Sequence, residues 1–131
     1  MAIKIEDETI IINNNKVYSS YYGRACKILP NRRMVAISLK VPDYFEGEII
    51  RELNPTESLF LDYKNGTINE IEYEKRYKQE TLDKLNTKEI YNKLKGKVII
   101  CHCGKDKFCH RQLVINWLKT NLGEGVTGGE I

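Results

Sequence analysis

The sequence predicts a small α/β domain, Rossmann-like and three-layered, with a short, mostly parallel sheet. Three observations carry that prediction. Runs rich in β-branched and apolar residues alternate with segments of helical spacing. Val98-Ile99-Ile100-Cys101 is a continuous apolar run entered from Gly96, as expected of a strand buried on both faces inside a parallel sheet. That run passes through a short loop into an apolar helical period, the junction at which such sheets place their ligands.

Taken in order, Asn13-Asn14-Asn15 is a turn between apolar runs at 9–12 and 17–22. Residues 34–41 form a further β-rich run, closed by Pro42, which has no amide to give a ladder. The period then changes. Thr56 is placed to cap a helix that carries Leu59, Phe60 and Tyr63 on one face, and Asn65-Gly66 stops it. Thr67-Ile68-Asn69-Glu70 has capping-box spacing and predicts a more polar helix to about residue 85, with Tyr73 and Tyr77 packing on the sheet. A third cap signal at Asn86-Thr87-Lys88-Glu89 opens a short helix that ends near Gly96. Beyond the 98–101 strand, Val114, Trp117, Leu118 and Leu122 recur at helical spacing over 108–122, and Gly123 ends that helix. A last extended piece near Val126 is available to close the sheet.

The 131 residues suit one domain over 1–131. A net charge of +3 permits an anionic ligand but disfavours extended nucleic acid as a partner. No apolar run is long enough to cross a membrane, and Lys4, Glu6, Asp7 and Glu8 interrupt any secretory core near the start. A cytoplasmic location is therefore expected, with Cys26, Cys101, Cys103 and Cys109 held as reduced thiols. Cys26 reads as core. Oligomeric state is left open.

The chemistry concentrates in Cys101-His102-Cys103-Gly104-Lys105-Asp106-Lys107-Phe108-Cys109-His110-Arg111. Strand alternation would put Cys101 and Cys103 on one face and His102 on the other. A helix starting at Asp106 or Lys107 would aim free amides and the positive dipole end at the loop, where an anion is welcome. Arg111, one turn in, adds a guanidinium fork.

Four readings follow. In the first, the helix N-terminus, Arg111, Lys105 or Lys107, and His110 or His102 hold a phosphate-bearing molecule. In the second, a cysteine near Arg and a helix N-terminus is a reactive thiolate. Residues 98–104 resemble the strand-to-loop entry of cysteine-dependent phosphatases, whose signature is His-Cys, five residues, then Arg. Here Arg111 follows Cys103 by eight positions, so the phosphate loop is longer than that signature. In the third, Cys101, Cys103, Cys109 and His110 offer zinc ligands, although Cys109 and His110, as helical neighbours, would point about 100° apart and hardly share one ion. In the fourth, Cys101 and His110 are core, His110 sharing a helical face with Leu113, Val114 and Trp117.

At these residues the chain resembles the family catalogued as domain of unknown function 488. The shared features are a strand ending in Cys101, a short loop, and Cys109-His110-Arg111 opening a helix. Tyr18-Ser19-Ser20-Tyr21-Tyr22, Ile37-Ser38, Leu53-Asn54-Pro55 and Tyr63-Lys64-Asn65-Gly66 match upstream, so the resemblance covers about 16–122. It implies a compact α/β fold with a shared site and no assigned activity. One departure is visible: His102-Cys103-Gly104 replaces the aromatic and acidic residues usual after the strand cysteine, so an acid is missing or supplied from elsewhere.

The expectation is thus a small protein that binds, and processes or merely captures, a nucleotide or other phosphate-bearing ligand. Cys109, His110, Arg111 and Cys103 are the candidates for chemistry. Cys101, His102, Gly104, Lys105, Ser19, Ser20, Tyr21 and Arg24 are those for binding, the last four because parallel strands bring their carboxyl ends together. Arg111 would clamp the anion. The alternatives are a nucleotide sensor or sponge, a cysteine-dependent phosphatase-like enzyme, and a structural zinc-binding interaction module. No cofactor is expected, and no metal is assigned in the leading reading.

Overall fold

The computed structural model describes residues 2–5, 8–104 and 107–131. β1 (Ala2–Ile5) and β2 (Glu8–Ile11) pair antiparallel as a separate two-stranded sheet. The chain then builds β3 (Val17–Tyr21), α1 (Tyr22–Ile28), β4 (Met34–Ala36), β5 (Glu48–Ile49), α2 (Glu57–Lys64), α3 (Glu70–Glu80) and α4 (Thr87–Leu94). It finishes with β6 (Val98–Cys101), α5 (His110–Leu122) and β7 (Thr127–Glu130).

The five later strands form one parallel sheet in the order β5-β4-β6-β3-β7. This is the small Rossmann-like α/β domain that the apolar run at 98–101 predicts. The alternation of side chains divides the core in two. Val17, Val35 and Ile99 face the layer of α2, α3, α4 and α5, whereas Tyr18, Met34, Ala36, Val98 and Ile100 face α1 and the β2 side. Val98, Ile99 and Ile100 are wholly buried, which is why β6 has no polar face.

Several boundaries differ from expectation. The β-rich run at 34–41 gives only a three-residue strand; Ile37 still donates its amide to Ile100 O, and Pro42 lies beyond. The predicted extended run at 17–22 ends one residue early, because Tyr22 opens α1, which buries Tyr22 and Ala25 on the sheet. The second capping box sits two residues later than predicted: Asn69 accepts from the Glu72 amide at 2.9 Å and Glu72 accepts from the Asn69 amide at 3.2 Å. α3 stops at Glu80, and a 3-10 turn at Leu82–Lys84 takes the chain on. The last helix begins at His110, not at 106–108. That shift decides the site.

Candidate functional site at the carboxyl edge of the sheet

Because β3, β4 and β6 run parallel, Tyr21 and Cys101 end side by side, and Ala36 pairs with Ile100. The start of α5 closes over this edge. Arg111 is wholly buried there, and all five of its N–H groups are used inside the chain. Nε donates to Glu130 Oε1 at 2.7 Å, and Nη1 donates to Cys101 Sγ at 2.9 Å and to Cys103 O at 2.6 Å. Nη2 donates to Gly104 O at 3.1 Å and to Glu130 Oε2 at 3.4 Å.

The expected anion clamp is therefore a strut. Its charge is balanced by Glu130, and its fork fixes the strand sulfur and the two loop carbonyls, Cys103 and Gly104, that follow it. Glu130 supplies a carboxylate to the site from the far end of the chain. No local signal in the sequence marks it, because only the parallel pairing of β7 with β3, with Ser19 opposite Glu130, brings it to the arginine.

The candidates from the β3 end surround this ion pair. Ser19 Oγ lies 3.3 Å from Glu130 Oε1, Ser20 Oγ donates to Ile131 O at 3.2 Å, and the Arg111 guanidinium stands 5.9 Å from the Tyr21 ring centre. Arg24 is half-buried on α1 and is not among the residues that line the cavity described below. Lys105 lies outside the described residues.

The sulfur and imidazole groups meet on the other side of Cys101. Cys109 is the N-cap of α5, with extended backbone angles of φ −155° and ψ 157°. Its amide donates to Gln112 Oε1 at 3.1 Å. Its Sγ meets that of Cys101, so the two cysteines stand as a pair able to close a Cys101–Cys109 bond, while Cys26 and Cys103 are free.

The capping position also overturns the expectation that Cys109 and His110 diverge. Helical divergence applies only to residues inside the helix. Here the non-helical Cys109 turns its Sγ to 3.5 Å from His110 Nδ1. His110 is buried, with Nε2 2.7 Å from Ile37 O. A carbonyl only accepts, so Nε2 carries the hydrogen and Nδ1 keeps a free lone pair. Burial holds the imidazole down to about 4, against the bond to Ile37 and with help from the Arg111 charge, so His110 is neutral near pH 7. Sγ of Cys101, Sγ of Cys109 and Nδ1 of His110 are the three donors that could hold a metal here.

A cavity of about 300 Å³ opens above this floor. Cys101, Cys109 and His110 form its base, while Phe60, Tyr63, Tyr73 and Phe108 form its walls. Phe108 stands 5.7 Å from Tyr63 and 5.5 Å from Tyr73, ring centre to ring centre. Ser38, Lys40, His102 and Cys103 also line it. His102 has its Nε2 2.6 Å from Lys40 O and its ring 4.7 Å from that of Tyr22, so it braces the 38–40 loop.

The walls were legible only in part. The spacing of Phe60 and Tyr63 puts them on one helical face, but nothing in the sequence says that this face borders a void.

Behind the floor, the Tyr77 ring lies 5.5 Å from that of His110, and its hydroxyl donates to Leu53 O at 2.6 Å. Tyr77→Phe removes the donor to a buried carbonyl. The expected cost is about 1–2 kcal/mol, read as a lower urea midpoint at unchanged m-value.

Fold and site together define a small parallel-sheet α/β domain with a cysteine–histidine cluster at the carboxyl edge. The chain belongs to the DUF488 family: residues 20–122 match the model DUF488-N3a, described as the active DUF488-N3 subclade. No curated protein and no solved structure matches it. Among the described residues, no helix is long and apolar enough to cross a membrane.

Proposed function

We propose that the chain is a thiol-dependent enzyme acting on a small molecule with a planar ring, of which a nucleotide is the leading class, with Cys101 as nucleophile. One observation carries this reading: a wholly buried guanidinium donates to Cys101 Sγ at 2.9 Å, at the base of an aromatic-walled cavity. A cation donating to sulfur favours the thiolate, the reactive form. The aromatic walls suit the face of a base, which stacks on such rings whatever its edge carries. A phosphate finds no donor from Arg111, so in this reading it stays at the mouth, near Lys40. The subclade's description as active supports a reaction over mere capture.

The enzyme works in the reduced state. A dithiol reductant supplies two electrons to the Cys101–Cys109 bond and leaves two thiols.

The test has two parts. In the reduced chain, iodoacetamide should modify Cys101 about tenfold faster than Cys26 at pH 7, Cys26 being a thiol that burial disfavours as thiolate. Thermal shift should respond to nucleosides and nucleotides and not to inorganic phosphate. Equal alkylation rates would remove the nucleophile, and a response to phosphate alone would remove the ring-binding cavity.

A further inference from the structure

We infer that, once the Cys101–Cys109 bond is reduced, Cys101, Cys109 and His110 form a three-donor site for a zinc-class divalent ion, with the fourth position open to the cavity. The inference uses side chains that also serve the thiol reading but does not depend on catalysis.

Distance comes first. The three donor atoms all lie within 4.8 Å of one another, each on a buried residue. With metal–sulfur bonds of about 2.3 Å and metal–nitrogen bonds of about 2.0–2.1 Å, the sulfur–nitrogen edge of a tetrahedral site is about 3.6 Å. Cys109 Sγ and His110 Nδ1 are 3.5 Å apart. Two consecutive residues reach that edge because one of them caps the helix and the other begins it.

The tautomer comes second. Metal-bound histidines commonly donate their second ring N–H to a carbonyl or carboxylate, which fixes the ring and leaves the other nitrogen free to ligate. His110 does this through Nε2 and Ile37 O at 2.7 Å, so its free nitrogen faces the two sulfurs.

Charge comes third. Two thiolates offset a divalent cation, and the neighbouring Arg111 cation is offset by Glu130 at 2.7 Å. Nη1 of Arg111 then donates to a metal-bound sulfur, an outer contact that steadies the thiolate. The cluster as a whole is neutral, as a buried site requires.

The ion binds both sulfurs as thiolates, so each proton still held by a thiol leaves to solvent. A small-molecule disulfide that oxidises the site takes two electrons from the same sulfurs, leaves as two thiols after taking up two protons, joins Cys101 to Cys109 and releases the ion, so ion and disulfide exclude one another. Three protein ligands facing a cavity match the open form of zinc site rather than the closed structural form.

Cobalt(II) alone, added to the reduced, chelator-stripped chain without oxygen, is the probe. The expected result is one equivalent bound, with tetrahedral d–d bands and thiolate-to-cobalt charge transfer for two sulfurs, displaced by zinc and lost on oxidation. Cys109→Ser and His110→Ala should each weaken zinc binding by more than about 100-fold, beyond the range usual for an outer-shell partner. Cys26→Ser should leave binding unchanged. Absence of stoichiometric uptake by the reduced wild-type chain overturns the inference, as does a cobalt spectrum without thiolate charge transfer. The wild-type spectrum counts the sulfurs even where a variant fails to fold. Failure here leaves the alkylation contrast of the metal-free chain standing, and failure of that contrast leaves the cobalt spectrum standing.

Discussion

Arg111→Met is expected to cost about 1–3 kcal/mol, the larger part from the Cys103 and Gly104 carbonyls, which lose their donor in a half-buried loop and recover only part of that bonding from water. Methionine fills much of the volume, so little of the loss comes from a void. Glu130 contributes little to it, because its side chain is 31% exposed and turns to water when its partner is gone. The reverse deletion isolates the charge. Glu130→Gln keeps an acceptor for Nε but leaves a wholly buried cation without a countercharge, with water reaching it only past the exposed edge of residue 130. Urea unfolding of the two variants checks the ordering: Arg111→Met should lower the midpoint more. Equal midpoints would mean that the guanidinium serves as a countercharge and not as a brace for the loop.

The second large effect is at Gly128. A Cβ there would fall inside the ring of Tyr18. That ring cannot simply swing away, since Tyr18 is buried and its hydroxyl accepts from the Asn13 amide at 2.8 Å. Gly128→Ala therefore drives β7 off β3, at a cost of about 1–3 kcal/mol for overpacking. Because β7 carries Glu130, the same change withdraws the acid from Arg111. Combined with Arg111→Met, the loss should be clearly less than additive, since both changes break one pairing. Full additivity would show that β7 and the arginine are energetically independent.

How much of this was legible depended on whether the signal was local. Val98-Ile99-Ile100-Cys101 announces a buried strand by itself, and Thr56 and Asn86 mark helix starts that the structure keeps, accepting at 3.2 Å from Leu59 N and at 3.0 Å from Glu89 N. The crowding of three cysteines, two histidines and an arginine located the candidate site. What sequence could not give were features set by pairing at a distance. Glu130 is one residue of a Gly-rich tail until β7 lies beside β3. The burial of the Arg111 donors follows from that pairing too, and a fork that looks free on a helix wheel is in fact fully engaged. The start of α5 was misplaced because Phe108 continues the apolar period, although its ring belongs to the cavity wall. That small slip put Cys109 inside a helix, and with it came the belief that Cys109 and His110 could not converge.

The floor of the cavity is tied at three independent points: β6 through Cys101, the residue just after β4 through the bond from His110 to Ile37 O, and β7 through Arg111 and Glu130. A guest arriving there meets groups already held in position by folding. Such preorganisation spares the encounter most of the ordering entropy that a loop-built site demands. In the proposed reading, selectivity among ligands falls to the ring-lined sides, where fit and desolvation discriminate, while the base stays the same for all of them.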